Sequence, residues 1–409
     1  MGSNNTFSLQ LLLVISMTSC GDDLKKTNNV KDEALTLKEK FNNAFFIGAA
    51  INEDQIEEKD VIANELLKNQ FNSITNENNL KWMYIHPKPN SFYFDIADKY
   101  VALGEKNNMH IVGHTLVWHS QIAPFMNEVK DSATMAGYIK SHIETVVGRY
   151  KSRIHSWDVV NEALNEDGSL RATLFYKVVG KNYIKQAFEL AHQSDSQAEL
   201  TYNDYNLCNP KKREGALKLI EDLQESGTKI DAVGIQAHWQ LNSPSLEEIE
   251  KSIIAYHNLG VKVMFTELDV STLPNPWKLV GAGVKQDFKK FEGDPTMNPY
   301  PEELPEDIQI KLADRYESIF KLFLKHKDKI SRVTFWGITD KLTWLNNFPI
   351  KGRTNYPLLF DRNYQPKKAY ERILKIDSLT ISLNGLVDLS RGINNFFPLR
   401  LPPMTLIYL

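Results

Sequence analysis

The chain has 409 residues, of which 42% are hydrophobic and 24% are charged, a composition typical of a folded protein with a buried core. The formal net charge is −3 and no long run of Lys or Arg is present, which excludes nucleic acid as a substrate because phosphate binding requires clustered cations. The two cysteines, Cys20 and Cys208, are too few for a disulfide framework, and we expect Cys208 to be buried.

The first twenty residues read as a signal peptide. Leu11 to Met17 is an apolar run that is too short to span a bilayer, and it leads into Met17-Thr18-Ser19-Cys20, which resembles a bacterial lipobox. We therefore predict a signal peptide over 1–20, a polar tether over 21–36 and lipid attachment at Cys20. That assignment implies a secreted protein, held as a periplasmic or cell-surface lipoprotein of a Gram-negative bacterium. A mis-assigned start or a disordered leader is the alternative, because Met1 to Gln10 contains no Lys or Arg.

From about Phe45 onward, short β-type apolar runs alternate with longer helical patterns. Such alternation indicates βαβ units and a parallel sheet, and eight runs match the strand count of a single (β/α)8 barrel of the TIM type. We predict this α/β barrel over residues 37–376, and we assign no role to the tail, residues 377–409. The predicted strands are Phe45–Ala50, Asn72–Thr75, His110–Gly113, Ile154–Val160, Glu199–Tyr202, Ala232–Gln236, Lys262–Thr266 and Arg332–Trp336.

Polar and aromatic residues follow almost every predicted strand. In a (β/α)8 barrel the catalytic groups lie where strands end and the following loops begin, so these residues are expected to meet at one face. In chain order they are Glu77, Asn78 and Lys81; His114 and Trp118; Asn161 and Glu162; Asn203 and Tyr205; Gln236 and His238; Glu267 and Asp269; Trp336 and Trp344.

Two carboxylates in this set suggest the chemistry. Glu162 and Glu267 follow the buried fourth and seventh strands, and a barrel would bring them to the two sides of its mouth. Glycoside hydrolysis requires such a pair, one to protonate the leaving oxygen and one to meet the anomeric carbon. A solvated surface charge is the alternative for any single Glu, but it fits poorly at the end of an apolar run.

Other chemistries have less support. A zinc site built on His114 and His119 is an alternative, but these residues are separated by four positions that include Leu-Val-Trp, so hydrogen bonding is the better interpretation. A structural calcium on loop carboxylates stays open. No Gly-x-Ser-x-Gly motif supports a serine triad, and no Gly-x-Gly-x-x-Gly motif supports a dinucleotide site. We expect no cofactor and no catalytic metal.

The motifs around the two glutamates resemble the signature pair of family-10 glycoside hydrolases, the endo-xylanases. They are Trp157-Asp158-Val159-Val160-Asn161-Glu162-Ala163 and Phe265-Thr266-Glu267-Leu268-Asp269, and the similarity extends from about Leu37 to Ile376. The stretch from Gly352 to Asp361, with the long loop from Leu273 to Pro305, is most similar to xylanases of Bacteroidetes-type bacteria. The resemblance implies a retaining endo-1,4-β-xylanase that acts on xylan and xylo-oligosaccharides.

Roles for individual residues follow from this resemblance. Glu162 would be the acid/base and Glu267 the nucleophile, and His114 would precede a cis peptide bond to Thr115. Asp269 would support His238 behind the nucleophile. The remaining positions would bind the substrate: Glu77, Asn78 and Lys81 on the non-reducing side of the cut; His114 and Asn161 at the point of cleavage; Gln236 and His238 beside the nucleophile; Trp118, Trp336 and Trp344 as cleft walls; Asn203 and Tyr205 on the leaving-group side.

Two further functions compete with the endo-xylanase. One is a retaining β-glucanase or cellulase, which Trp336 and Trp344 would disfavour by crowding the hydroxymethyl group of glucose. The other is a non-catalytic glycan-binding barrel, which has no need of paired glutamates. We expect a monomer.

Overall fold

Eight parallel strands close into a barrel in the computed structural model, which describes residues 35–276 and 288–377. Strand β1 pairs with both β2 and β9, and β6 pairs with β8, so the ring of strands is complete. The predicted single (β/α)8 barrel is confirmed. The strands are β1 Phe46–Ile51, β2 Ser73–Asn76, β3 His110–Trp118, β4 Ser156–Asn161, β5 Glu199–Asp204, β6 Ala232–Ile235, β7 His238–Gln240, β8 Lys262–Ser271 and β9 Ile330–Phe335.

Strand β7 is the one strand that the sequence did not predict. It continues the line of β6 after a break at Gln236 and Ala237, and it pairs in parallel with the end of β8, opposite Asp269 to Ser271. A segment of three residues is too short to show an alternating pattern. Strands β3 and β8 also run further than predicted, because both continue past the barrel layer to its mouth.

Helices cover the outside of the barrel and bury one apolar face each. Several begin at side-chain caps; for example, Asp131 accepts a hydrogen bond from Thr134 N at 2.8 Å, and Asn209 caps a helix that starts with Pro210. The helices are α1 Leu37–Lys40, α2 Glu53–Ile56, α3 Val61–Gln70, α4 Trp82–Ile85, α5 Asp95–Lys106, α6 Ser132–Arg149, α7 Leu174–Val179, α8 Asn182–Ser194, α9 Pro210–Glu225, α10 Leu246–Asn258, α11 Glu306–Lys325 and α12 Lys368–Leu374.

The predicted segments at both ends of the chain lie outside the described residues. These are the signal peptide over 1–20, nearly all of the tether over 21–36, and the tail beyond Asp377. Within residues 35–276 and 288–377, no helix is long and apolar enough to cross a bilayer. Cys208 is buried, as expected.

Candidate active site

A cleft of about 610 Å³ opens at the carboxyl ends of the strands. It is lined by nearly all of the residues predicted for the site: Glu77, Asn78, Lys81, His114, Trp118, Asn161, Glu162, Tyr205, Gln236, His238, Glu267, Asp269, Trp336 and Trp344. Asn203 differs from its predicted place on the leaving-group side, because it is fully buried beneath the cleft floor. Its amide instead reaches the carboxylate of Glu267.

Glu267 lies at the floor of the cleft with 5% of its surface exposed. Its Oε1 accepts a hydrogen bond from Asn203 Nδ2 at 2.8 Å, and its Oε2 lies 3.1 Å from His238 Nε2. Burial alone would raise the pKa of this carboxyl, but the hydrogen bond from His238 and the charge of His114 hold the pKa below its usual value. Glu267 is therefore kept ionised, as a nucleophile must be.

His238 connects Glu267 to a second carboxylate. Its Nδ1 lies 3.0 Å from Asp269 Oδ2, and Asp269 Oδ2 also accepts a hydrogen bond from Trp344 Nε1 at 2.8 Å. Burial opposes a charge on this imidazole, but Asp269 and Glu267 raise the pKa of His238 to about 10. The raised pKa of His238 favours a charged imidazole that donates to both carboxylates, in the arrangement predicted for these three residues.

Glu162 has a different environment. It follows β4 with φ of 57°, a left-handed conformation that is uncommon outside glycine and that turns its side chain into the mouth of the barrel. Its Oε1 accepts from Gln236 Nε2 at 3.1 Å and its Oε2 from Trp118 Nε1 at 2.9 Å. Both donors are neutral, and in the part of the chain that the structure describes no cation is hydrogen-bonded to Glu162.

Asn161 and Asn203 connect the two glutamates from below. Asn203 Nδ2 donates to Asn161 Oδ1 at 2.9 Å as well as to Glu267, and Thr266 Oγ1 donates to Asn203 Oδ1 at 2.6 Å. Gln236 Nε2 lies 3.3 Å from Asn161 Oδ1. The positions of the two carboxylates are therefore fixed by one continuous set of amide hydrogen bonds.

One wall of the cleft comes from the loop after β2. Lys81 is 6% exposed, donates to Asn78 Oδ1 at 3.1 Å and lies 5.0 Å from the centre of the Trp118 ring. Burial lowers the pKa of Lys81, and the carboxylates of Glu267, Glu77 and Glu162 oppose that shift. Burial raises the pKa of Glu77, which Lys81 opposes. This wall therefore offers a concentrated set of donors and acceptors for sugar hydroxyls.

His114 stands at the centre of the cleft and follows the predicted geometry. The His114–Thr115 peptide bond is cis. His114 Nδ1 lies 2.8 Å from Asp158 Oδ2, and both residues are 2% exposed. Asp158 belongs to the motif Trp157–Ala163, but the sequence alone predicts no role for it in the site. It is the buried carboxylate that fixes the orientation of His114.

Two tryptophans stand over this centre. The Trp336 ring meets the His114 ring edge-on with centroids 5.3 Å apart, and the Trp344 ring lies 4.8 Å from that of His238. The two tryptophan rings therefore restrict the space beside His114 and His238.

Tyr205 lies on the opposite side, after β5, and is supported by two cations that the sequence did not suggest. Arg171 Nη2 donates to the Tyr205 hydroxyl at 2.6 Å, and Lys212 Nζ lies 3.4 Å from the centre of the ring. Lys212 is fully buried and pairs with Asp204 Oδ1 at 2.9 Å. In the sequence of α9, nothing distinguishes Lys212 from a lysine on the solvent-exposed face of the helix.

Within the described parts of the chain, no group of three or more His, Cys, Asp or Glu side chains is arranged to hold a metal ion.

Comparison with known proteins identifies the family. Residues 36–376 match the family model described as glycosyl hydrolase family 10. The endo-1,4-beta-xylanase A of Xylanibacter ruminicola is 41% identical over 346 residues, which cover 83% of this chain and 93% of the relative. A beta-1,4-xylanase of Dictyoglomus thermophilum is 40% identical over 91% of this chain and 99% of its own length.

Solved structures of similar proteins support the same family. A GH10 endoxylanase retrieved from a sugarcane soil metagenome superposes with a TM-score of 0.77 at 44% identity, covering 83% of this chain and 98% of that one. Xylanase XynB of Paenibacillus barcinonensis gives a TM-score of 0.75 at 36% identity, covering 85% and 100%. The chain belongs to glycosyl hydrolase family 10.

Proposed function

We propose that this protein is a retaining endo-1,4-β-xylanase that cleaves internal β-1,4 bonds of xylan by double displacement. The observation that carries the proposal is the unequal environment of the two glutamates. Glu267 is buried and its Oε2 lies 3.1 Å from His238 Nε2, whereas Glu162 is partly exposed and, among the described residues, accepts hydrogen bonds from two neutral donors, Trp118 and Gln236. Such a difference suits one permanent carboxylate and one residue that exchanges a proton.

In the first step, Glu267 attacks the anomeric carbon while Glu162 gives its proton to the leaving oxygen. The bond between sugar and leaving group breaks as the bond to Glu267 Oε forms, which gives a covalent glycosyl-enzyme. In the second step, Glu162 takes a proton from water, the water oxygen attacks the same carbon, and Glu267 leaves as a carboxylate. Two inversions at one carbon retain the β configuration.

Xylan as the substrate is supported by the relatives, which are named xylanases, and by the tryptophans. Trp336 and Trp344 stand close to His114 and His238, beside the nucleophile. A xylosyl ring has no substituent on carbon five other than hydrogen, whereas the hydroxymethyl group of glucose would add volume against these rings. We infer that the cleft discriminates against glucans by steric exclusion rather than by a lost hydrogen bond, so slow hydrolysis of aryl cellobiosides is compatible with it.

The test compares polymers. Purified protein should release xylo-oligosaccharides of several lengths early in the hydrolysis of xylan and should show little activity on carboxymethylcellulose. Comparable rates on both polymers would favour a β-glucanase. Binding of xylan without any hydrolysis would favour a non-catalytic barrel, and the double variant Glu162→Ala/Glu267→Ala provides the background for both assays.

We also propose that Cys20 is lipidated and holds the enzyme at the cell surface or in the periplasm. The apolar run from Leu11 to Met17 and the following Thr18-Ser19-Cys20 support it. In a Gram-negative host, the wild type should fractionate with membranes and Cys20→Ser should not. Equal solubility of both proteins, with neither processed, would contradict the assignment.

A further inference from the structure

Arg171 is a permanent cation, yet its side chain is hydrogen-bonded to neutral oxygens. Its Nη2 donates to Leu164 O at 2.9 Å and to the Tyr205 hydroxyl at 2.6 Å. Among the residues that the structure describes, no carboxylate is hydrogen-bonded to Arg171, so an ion pair does not explain this half-buried arginine. One of its two acceptors, Leu164, lies two positions after Glu162, which points to a role in placing that residue.

The main chain that follows Glu162 is held from two sides. Leu164 N donates to Asp204 Oδ2 at 3.3 Å, and Leu164 O accepts from the side chain of Arg171. The backbone N–H of Arg171 also donates to Ala163 O at 2.7 Å. The side chains of Ala163 and Leu164 are both 1% exposed, so their polar backbone groups need such partners. These hydrogen bonds restrict the rotation of the segment that begins at Glu162.

Asp204 provides a fixed acceptor on one side of this segment. It is fully buried, its Oδ2 accepts from the Tyr202 hydroxyl at 2.6 Å, and its Oδ1 lies 2.9 Å from Lys212 Nζ. Its Oδ1 also accepts from Tyr205 N at 2.8 Å. A carboxylate with this many partners cannot turn easily, so Leu164 N is held in place.

Arg171 is anchored on the other side by the hairpin that precedes it. Leu164 and Leu170 form an antiparallel bridge at the base of this hairpin. The tip of the hairpin lies against α9, because a methyl group on Gly215 would clash with Gly168 O. Arg171 therefore starts from a fixed backbone position, and its side chain reaches back to the segment after Glu162.

Glu162 is the residue that benefits from a restrained segment. Its φ of 57° lies in the left-handed region, which is unfavourable for a residue with a side chain and persists only where the surroundings impose it. Before this turn, Glu162 N donates to Asn203 O at 2.9 Å, and after it the chain is held at Ala163 and Leu164. A general acid must lie within hydrogen-bonding reach of the oxygen that it protonates, so a small rotation here would misplace its carboxyl group.

We propose that Arg171 is a positioning residue for Glu162. Through its side-chain hydrogen bond to Leu164 O, Arg171 holds the turn that directs the Glu162 carboxyl group toward the leaving oxygen. This inference rests on the proposed function, in which Glu162 is the acid/base. Arg171 should therefore matter for bond cleavage only where the leaving group needs a proton.

Two aryl xylobiosides test this role because they differ in their need for an acid. The leaving group of phenyl β-xylobioside must be protonated, whereas that of 2,4-dinitrophenyl β-xylobioside departs as an anion. The value of kcat/KM reports the steps up to formation of the glycosyl-enzyme. Arg171→Met should lower kcat/KM about tenfold on the phenyl glycoside and less than about twofold on the dinitrophenyl glycoside.

Arg171→Lys keeps a cation and a donor for Leu164 O. It should lower kcat/KM on the phenyl glycoside by about threefold, again with little change on the dinitrophenyl glycoside. If Arg171→Met does not fold, the ratio measured with Arg171→Lys decides the question. Loss of the hydrogen bond to Tyr205 should act on both glycosides equally, because both place an aryl ring on the leaving-group side, so it does not change the ratio.

Arg153→Met is the matched control. Arg153 precedes β4, at the opposite end of that strand from Glu162, and its Nε donates to Glu105 at 2.7 Å on the surface. Both kcat/KM values should stay at the wild-type level in this variant. Equal losses on the two glycosides in Arg171→Met, or no loss on either, would overturn the positioning role while the proposed function stands. A wild type that hydrolyses neither glycoside would overturn both.

Discussion

His238 Nε2 lies 3.1 Å from Glu267 Oε2, and this contact holds the pKa of the Glu267 carboxyl low in spite of its burial. In the proposed mechanism, the ionised form of Glu267 is the active one. His238→Ala removes the hydrogen bond, the pKa of Glu267 rises, and the acid limb of the pH profile of kcat/KM should move upward by about one pH unit, with a lower maximum. His257→Ala, on α10 away from the cleft, is the control, and an unmoved acid limb in His238→Ala would contradict this role.

Trp344 combines a steric and a structural role. Its ring lies 4.8 Å from that of His238, and its Nε1 donates to Asp269 at 2.8 Å. Trp344→Ala should raise the ratio of kcat/KM for an aryl cellobioside to that for an aryl xylobioside by about tenfold, because space opens beside carbon five. Trp344→Phe keeps a ring but loses the N–H group, so it should lower both rates with little change in the ratio. A ratio that responds equally to both variants would argue against steric exclusion.

Gly234 makes room for Asn203. A methyl group at this position would clash with Asn203 Oδ1 and lie 2.8 Å from Thr266 Cγ2, so Gly234→Ala must displace the amide that holds Glu267. We expect a stability loss of about 1–3 kcal/mol and a fall in kcat at temperatures where the variant is still folded.

Gly137→Ala in α6 is the control. Its new methyl group meets no described atom within 4 Å, so the free energy of unfolding should rise by about 0.5–1 kcal/mol with unchanged kcat. Thermal unfolding and steady-state kinetics measure both, and wild-type kcat in Gly234→Ala would refute the argument.

The sequence predicted the barrel because each strand of the ring is an apolar run followed by polar residues. It also predicted most cleft residues, since residues at the carboxyl ends of the barrel strands meet at one face of the barrel. Apart from the contacts of His238 with Glu267 and Asp269, it did not predict the partners of those residues. Lys212 reads as a surface lysine on α9, and only the folded chain shows that it is buried between Asp204 and the Tyr205 ring. The family resemblance predicts Asn203 on the leaving-group side of the cleft, but a motif match does not say how deep a side chain lies, and Asn203 is fully buried.

Lys212 offers a direct test of that buried contact. It is fully buried 2.9 Å from Asp204, so Lys212→Met leaves a carboxylate buried without its cation and should cost about 3–5 kcal/mol of unfolding free energy. Lys218, on the same helix, forms an exposed pair with Asp222, also at 2.9 Å, and Lys218→Met should cost about 0.5 kcal/mol or less. Denaturant titration of the two variants gives the comparison, and equal losses would mean that Lys212 is hydrated.

The double-displacement mechanism is tested most directly by the Glu162→Ala variant. An aryl xylobioside with a good leaving group needs no acid, so Glu267 should still displace the aryl group, and the glycosyl-enzyme should then accumulate because no base activates water. Added azide should react with this intermediate and restore turnover. The account predicts that nuclear magnetic resonance of the product will show a β-configured xylobiosyl azide, formed by two inversions. An α-configured azide would show a single direct displacement and would contradict the assignment of Glu267 as the nucleophile.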